Sequence, residues 1–147
     1  MSTQTATKPS LTIKRRLNAP PAKVYAAWID PQMIARWFGP AGVESVEAKT
    51  DLRVGGRFRV QYWGANDEHH SVSGTYREVV PNRKLSFSWA WQSTPERESL
   101  VTIDLNPVND GTMLTLTHEQ FFDVKARDDH GHGWSLALDR LEALFSS

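Results

Sequence analysis

Apolar and polar side chains alternate from Leu11 to Leu17, near the start of the chain. Alternation with a period of two residues is typical of a strand that buries one face. Arg15 occupies an apolar position of this pattern, so we expect it either to point inward or to lie where the strand leaves the core. This segment is the first predicted strand.

Two short helices, each with one apolar side, are predicted after this strand. Asn18 or Ala19 is expected near the N-cap of the first helix, with a proline in its first turn. Asp30 then ends that helix and caps the second, because aspartate accepts hydrogen bonds from free N–H groups at a helix start. Gly39-Pro40 is expected to stop the second helix. The pattern therefore predicts a helix–turn–helix insert between the first and second strands.

From Ser45 to Glu119 the period-two pattern returns, and short turn sequences interrupt it. Trp63 is out of phase with its neighbours, which indicates either a bulge or an outward-facing ring. His69-His70 is expected in a turn. The other predicted turns are Arg53–Gly56, Asn66-Asp67, Pro81-Asn82 and Asn109–Gly111. They divide the segment into about six strands of an antiparallel meander.

The C-terminal part of the chain returns to a helical period, and Asp123 is the expected N-cap of a helix that runs to about Phe145. Its apolar face consists of Trp134, Ala137, Leu138, Leu141, Leu144 and Phe145. One long amphipathic helix with six to seven antiparallel strands predicts an α+β fold in which a curved sheet wraps around that helix. We expect residues 1–9 to form a disordered polar tail and residues 10–147 to form a single domain.

Composition narrows the classes of function. The chain has 147 residues, 17 basic and 17 acidic side chains, and no cysteine. The absence of cysteine excludes disulfides, a thiol nucleophile and a thiolate zinc site. A formal net charge of zero argues against nucleic acid as a partner. Without an apolar run of about 20 residues or the apolar centre of a signal peptide, no membrane partner is predicted and a cytoplasmic location is expected.

A series of short motifs runs in order along nearly the whole chain, from Leu11 to Phe145. The motifs are Ala19–Tyr25, Trp28, Asp30-Pro31, Trp37–Pro40, Asp51–Gly56, Gly74–Tyr76, His130, Gly133-Trp134 and Leu138–Leu144. In this order they resemble the helix-grip superfamily of START domains, birch-pollen-allergen-type proteins and polyketide cyclases. Within it, the chain is similar to the bacterial branch that resembles the C-terminal domain of heat-shock protein 90 ATPase activators.

The resemblance implies a curved antiparallel sheet that grips the C-terminal helix, with a cavity between them. Members of the superfamily bind apolar or aromatic small molecules, act as cyclases or self-resistance proteins, or contact a chaperone. A fold of this kind indicates where to look for a site but does not define a reaction.

Aromatic residues make up 10% of the chain, and six of them are tryptophans. An aromatic-lined cavity is the usual form of a small-molecule site, although ordinary core packing of sheet against helix is the alternative. His118 shares the inward phase of its strand, so it either orients a ligand or acts as an acid or base, or is satisfied by a core hydrogen bond. The residues expected to line the cavity are Trp37, Phe38, Tyr62, Tyr76, Trp89, Trp91, His118 and Trp134.

Asp128 and His132 have the i, i+4 spacing of helical metal ligands. Two ligands do not complete a site, so we predict no metal and no cofactor, and expect the acidic residues to favour the positive end of the helix dipole. Arg57 and Arg59 either bind an anion or keep an exposed face soluble. Because the sequence has no nucleophile elbow, phosphate-binding loop or suitably spaced carboxylate pair, no catalytic residue is predicted.

Three functions remain open. The first is binding of a small apolar, aromatic or lipid-like molecule between sheet and C-terminal helix. The second is a chaperone-interaction module, and the third is a cyclase or hydrolase-type enzyme that uses His118 or an Asp/His group in the same cavity. The sequence fits a monomer, and an exposed sheet edge would also allow a homodimer.

Overall fold

Seven strands and three helices form the secondary structure in a computed structural model that describes residues 8–39, 45–64, 66 and 68–146. In chain order they are β1 (Leu11–Leu17), α1 (Pro21–Ile29), α2 (Pro31–Trp37), β2 (Ser45–Thr50), β3 (Arg57–Trp63), β4 (His69–Val80), β5 (Lys84–Trp91), β6 (Ser99–Val108), β7 (Gly111–Glu119) and α3 (Val124–Leu144). The strands form one antiparallel sheet in the order β1-β7-β6-β5-β4-β3-β2. The predicted α+β helix-grip fold is confirmed.

The sheet curves around α3, which packs against β1 and α2. Register between β4 and β5 shifts between Tyr76 and Glu78, and a bulge of this kind bends a strand. Gly74 lies beside this bend, and a Cβ added there would be 1.8 Å from the backbone oxygen of Ser88. The two strands therefore approach each other too closely for any other residue at position 74.

The three helix starts lie where the sequence pattern predicts them. Asp30 caps α2 by accepting from the Gln32 N–H at 2.9 Å, and Asp123 caps α3 by accepting from the Ala126 N–H at 2.8 Å. For α1 the N-cap is Pro20, directly after Ala19, and the expected proline of the first turn is Pro21. Pro20 has the extended conformation of a cap and Pro21 occupies the first helical position, so this helix starts without a side-chain cap.

Three uncertain strand positions are resolved by the pairing. Arg15 lies at the edge of the core and forms an ion pair with Asp139 of α3 at 2.6 Å. Trp63 faces outward without a bulge, since β3 pairs with β4 in continuous register up to Trp63 and His69. The prediction of a turn at His69-His70 is wrong because both residues begin β4, where cross-strand partners in β3 hold them in extended backbone.

The turns and helix ends use left-handed backbone where the sequence predicts breaks. Gly55, Asn82 and Asp110 have φ angles of 88°, 65° and 56°, a region in which glycine, asparagine and aspartate are enriched. The predicted stop at Gly39-Pro40 and turn at Asn66-Asp67 lie partly outside the described residues, since Pro40 and Asp67 are not among them. Across the described residues, no helix has both the length and the apolar character that a membrane span requires.

Candidate functional site

Two cavities lie between α3, the end of α2 and the inner face of the sheet. The outer cavity has a volume of about 260 Å³ and is bordered by several half-exposed residues. Five of its wall residues were predicted: Phe38, Tyr62, Trp89, Trp91 and Trp134. Five others were not: Gly39, Asp129, His130, Gly133 and Ala137. The wall is mainly aromatic, so it offers large flat apolar surfaces to a bound molecule.

The inner cavity is much smaller, at about 30 Å³, and most of the residues around it are buried. Phe38, Trp89 and Trp134 border both cavities. The Trp89 ring lies 6.1 Å from the Phe38 ring and 5.1 Å from the Trp134 ring between centroids. These three rings therefore form the boundary between the two spaces.

Trp91 is held in the outer wall by His130. Its indole N–H donates to His130 Nε2 at 2.8 Å, and His130 Nδ1 lies 2.8 Å from the Ala126 carbonyl oxygen. A carbonyl only accepts, so the ring proton is on Nδ1 and Nε2 is free to accept from the indole. Burial lowers the pKa of His130, although its hydrogen bond to Ala126 and the charge of Asp129 oppose this effect. His130 is thus a neutral acceptor that fixes the indole ring.

Trp134 is held in the same way by His118. Its indole N–H donates to His118 Nδ1 at 3.0 Å, and His118 Nε2 lies 2.7 Å from the Ser99 hydroxyl. The Ser99 hydroxyl donates in turn to the Trp89 carbonyl oxygen at 3.3 Å, so His118 Nε2 carries the proton. Burial, and secondarily the nearby His130, lowers the pKa of His118 to about 2. This histidine is neutral and both of its nitrogens are engaged.

The structure separates the eight predicted cavity residues into three groups. Trp37 and Tyr76 border the inner cavity, and the Trp37 indole donates to the Ala27 carbonyl oxygen at 2.9 Å. His118 lies behind Trp134 and borders neither cavity, which gives it the core hydrogen-bonding role that the sequence left open. The remaining five, named above, border the outer cavity.

The two tyrosines of the cavity walls remain protonated at neutral pH. Burial, followed by the charge of Glu68, raises the pKa of Tyr62. Burial also raises the pKa of Tyr76, with smaller contributions from Tyr25 and Asp51. Their hydroxyl groups therefore offer neutral polar contacts rather than negative charge.

Charged groups around the mouth of the outer cavity are paired within the protein. Asp129 accepts from Lys125 at 2.9 Å, and this hydrogen bond and charge lower the pKa of Asp129. Arg140 donates to the Phe38 and Gly39 carbonyl oxygens at 3.3 and 3.0 Å, which joins α3 to the end of α2. These pairs leave the aromatic rings as the dominant surface of the cavity.

The expectations for the acidic and basic clusters are partly revised. Asp128 and Asp129 lie beyond the first turn of α3 and pair with Arg127 and Lys125, so the dipole role predicted for them is wrong. Within residues 8–39, 45–64, 66 and 68–146, no group of three or more histidine, aspartate or glutamate side chains is arranged to hold a metal. On the outer face of the sheet, Arg59 donates to the Ser71 hydroxyl at 3.0 Å.

Four wall residues on α3, of which only Trp134 was predicted, share one helical face. His130, Gly133, Trp134 and Ala137 follow the spacing i, i+3, i+4, i+7, which places them on the same side of a helix. The sequence analysis started the apolar face at Trp134 and named His130 only among the motifs that carry the family resemblance. Extending the face of Trp134 by one helical turn toward the N-terminus would have included His130.

Comparisons with known proteins fit this geometry. The family model described as activator of Hsp90 ATPase homolog 1-like protein matches residues 18–146. The chain belongs to this family. A solved structure of a Chromobacterium violaceum protein is 29% identical, with a TM-score of 0.83, and the match covers 94% of this chain and 98% of that one. CalU16 from Micromonospora echinospora is 33% identical, with a TM-score of 0.70 and coverage of 93% and 76%.

A further solved structure has lower identity and the same fold. A Silicibacter pomeroyi protein described as AHSA1 is 24% identical, with a TM-score of 0.78 and coverage of 92% and 96%, a likeness that shows the fold alone. The comparison with curated proteins found no match. Membership of the activator-like family confirms the resemblance drawn from the motif order, and it is compatible with ligand binding or with an activator-like role.

Proposed function

We propose that this protein binds a small, mainly apolar aromatic molecule in the outer cavity. The observation that carries the proposal is an aromatic cavity of about 260 Å³ in which two indole N–H groups are already satisfied by histidines. Hydrogen bonding inside the protein leaves ring faces, rather than polar edges, as the contact surface of Trp91 and Trp134. Flat apolar ligands match such a surface by stacking and by burial of apolar area.

Preorganisation supports the same proposal. Trp91 and Trp134 are anchored by hydrogen bonds, and Arg140 anchors the chain at Phe38 and Gly39. Rings that are fixed before binding lose little conformational entropy when a ligand arrives. The cavity walls are therefore ready to bind without rearrangement of these side chains.

Calorimetric titration with the neutral probe N-phenyl-1-naphthylamine tests the proposal. Gly133 borders the outer cavity, and a Cβ added there meets nothing within 4 Å. Gly133→Leu should therefore place a side chain in the mouth and weaken binding by about tenfold or more, which is about 1.4 kcal/mol. Gly133→Ala is the matched control, because it gains the same helix propensity with little bulk. Saturable binding that is equal in Gly133→Leu and Gly133→Ala would contradict the outer cavity as the site.

Interaction with a chaperone is a second candidate, favoured by the description of the family as activators of Hsp90 ATPase. An exposed apolar pair at the start of α3, Phe122 and Val124, would be the contact surface, with exposed fractions of 57% and 51%. Arg97 lies 3.9 Å from the Phe122 ring and adds a positive charge to this surface. Adding the protein to Hsp90 should then raise the ATPase rate, and Phe122→Ser should abolish the increase. An unchanged rate with the wild-type protein would exclude this role.

The remaining predictions concern context. A cytoplasmic location and a monomeric or homodimeric state stay predictions. The enzymatic alternative gains no support from His118, because its two nitrogens are engaged by Trp134 and Ser99 and its pKa is far below neutrality.

A further inference from the structure

The tryptophans of the core and cavity walls differ in how their indole N–H groups are satisfied. Trp37, Trp91 and Trp134 donate to the Ala27 carbonyl, His130 and His118 at 2.9, 2.8 and 3.0 Å. The indole nitrogens of Trp28 and Trp89 are buried, and neither has a hydrogen-bond partner within the described part of the chain. A buried donor without an acceptor is unfavourable, and such groups are rare in folded proteins.

Both unpartnered indoles border the same space. Trp28 and Trp89 line the inner cavity, and Trp89 also lines the outer cavity. Their side chains are 6% and 4% exposed, so bulk water does not reach their N–H groups. The inner cavity is therefore the place where an acceptor would relieve these donors.

The size and polarity of the inner cavity limit which acceptor group it can hold. Its volume of about 30 Å³ admits one small group, such as a carbonyl oxygen or a single water molecule. The described residues that line it include no charged side chain, and the Thr50 hydroxyl already donates to the Ile29 carbonyl at 3.1 Å. A carboxylate or phosphate would be buried there without a counter-charge, which is strongly unfavourable. An uncharged acceptor fits both the size and the polarity of this space.

We propose that the ligand is a planar, uncharged molecule with a carbonyl-type acceptor at one end, and that this acceptor enters the inner cavity and accepts from the Trp89 indole N–H. The inference rests on the proposed function, because the planar body occupies the outer cavity. Trp28 supplies a second donor on the wall of the same inner space. Ketones, aldehydes and quinones of aromatic ring systems have this chemistry.

Two probes of the same shape separate this hydrogen bond from general apolar binding. 2-Acetylnaphthalene carries a carbonyl group, and 2-isopropenylnaphthalene carries a methylene group in its place. Calorimetric titration should show that wild-type protein binds the acetyl compound about tenfold more tightly, because only that compound satisfies the buried donor. The ratio of the two dissociation constants is the measured quantity.

Substitutions identify the donor. Trp89→Phe keeps an aromatic ring but removes the N–H group, and should bring the ratio close to one. Trp63→Phe is the matched control, because the Trp63 ring stacks on His69 on the opposite face of the sheet and its loss should leave the ratio near tenfold. A preference that survives in Trp89→Phe would overturn the proposal.

Nuclear magnetic resonance of the wild-type indole groups gives a readout that does not depend on any variant folding. The Trp89 Nε1–H proton should move downfield when 2-acetylnaphthalene binds, and should not do so with 2-isopropenylnaphthalene. Equal affinity for both probes together with an unmoved Trp89 signal would overturn the inference but leave cavity binding intact. Failure of both probes and of N-phenyl-1-naphthylamine to bind would overturn the proposed function as well.

Discussion

The two ends of the core are built differently. Around β1, β7 and the C-terminal half of α3, the buried side chains are aliphatic and fully enclosed: Leu17, Leu105, Leu114, Leu116, Leu138 and Leu141 are at most 2% exposed. Around the first half of α3 the core is aromatic and borders two cavities. Branched aliphatic chains interdigitate and fill space, whereas large flat rings held in fixed orientations leave gaps between them.

The two ends of the core therefore contribute differently to stability and to binding. The aliphatic end contributes closely packed apolar burial to the folding free energy. The aromatic end contributes rings whose orientation is set by hydrogen bonds to His118 and His130. Stability and binding should consequently respond to different substitutions.

The largest effect on stability should come from the aliphatic end. Leu141→Ala removes a fully buried side chain and should lower the free energy of unfolding by roughly 2–5 kcal/mol. Urea denaturation measures this change, with Leu52→Ala as control because Leu52 is 36% exposed. Binding of N-phenyl-1-naphthylamine to the folded fraction should be retained. A loss smaller than that of the control would contradict the assignment of stability to this end.

Removing the acceptor behind Trp134 should have the next largest effect. His118→Leu leaves the Trp134 indole N–H and the Ser99 hydroxyl without their partner, at a cost of about 1–3 kcal/mol. His118→Gln retains an amide that accepts and donates, so it should lose less. Thermal unfolding of the two variants checks this order, and equal losses would show that the hydrogen bonds at His118 do not matter.

Acidity should weaken the aromatic end selectively through His118. Because burial lowers its pKa from 6.5 to about 2, the unfolded chain takes up the proton first as the pH falls. The stability linked to this group is therefore complete above pH 6.5 and is lost as the pH falls toward 2. Between pH 7 and pH 5 the wild type should lose about 2 kcal/mol more than His118→Gln. Parallel pH profiles of the two proteins would contradict the neutral, buried state of this histidine.

The smallest effect concerns the helix that carries the cavity wall. Gly133→Ala should raise the free energy of unfolding by about 0.5–1 kcal/mol, since alanine favours a helix and nothing lies within 4 Å of its Cβ. Gly131→Ala is the matched control, with a Cβ 3.4 Å from Leu11 and no place in the outer wall. Both should stabilise the protein in urea denaturation, and neither should weaken probe binding as Gly133→Leu does.

The sequence predicted the fold more completely than the site because the two depend on different ranges of interaction. Strand phase, the turns at Arg53–Gly56, Pro81-Asn82 and Asn109–Gly111, and the Asp30 and Asp123 caps are local signals that appear in the structure. Trp91 and His130 are 39 positions apart, and their hydrogen bond exists only after β5 and α3 pack together. No local pattern distinguishes such a pair from two independent core residues.

The position of His118 also depends on contacts between elements that are distant in the sequence. Its inward phase was readable from the strand, but its contact with Trp134 and Ser99 required the register of β6, β7 and α3. Side-chain packing decides which residues form the cavity wall and which lie in the layer behind it. Strand phase alone therefore placed His118 in the wall, although it lies behind Trp134. Gly133 and Ala137 were missed because small residues border a cavity only by leaving space unfilled.

Titration of the protein with N-phenyl-1-naphthylamine, followed through its six indole N–H signals, tests the central claim most directly. Trp89, Trp91 and Trp134 border the outer cavity, whereas Trp63 stacks on His69 at 5.0 Å on the opposite face of the sheet. The account predicts saturable shifts of the first three signals and an unmoved Trp63 signal. Shifts of Trp63 alone, or no shift at any concentration at which the probe is soluble, would contradict the outer cavity as a binding site.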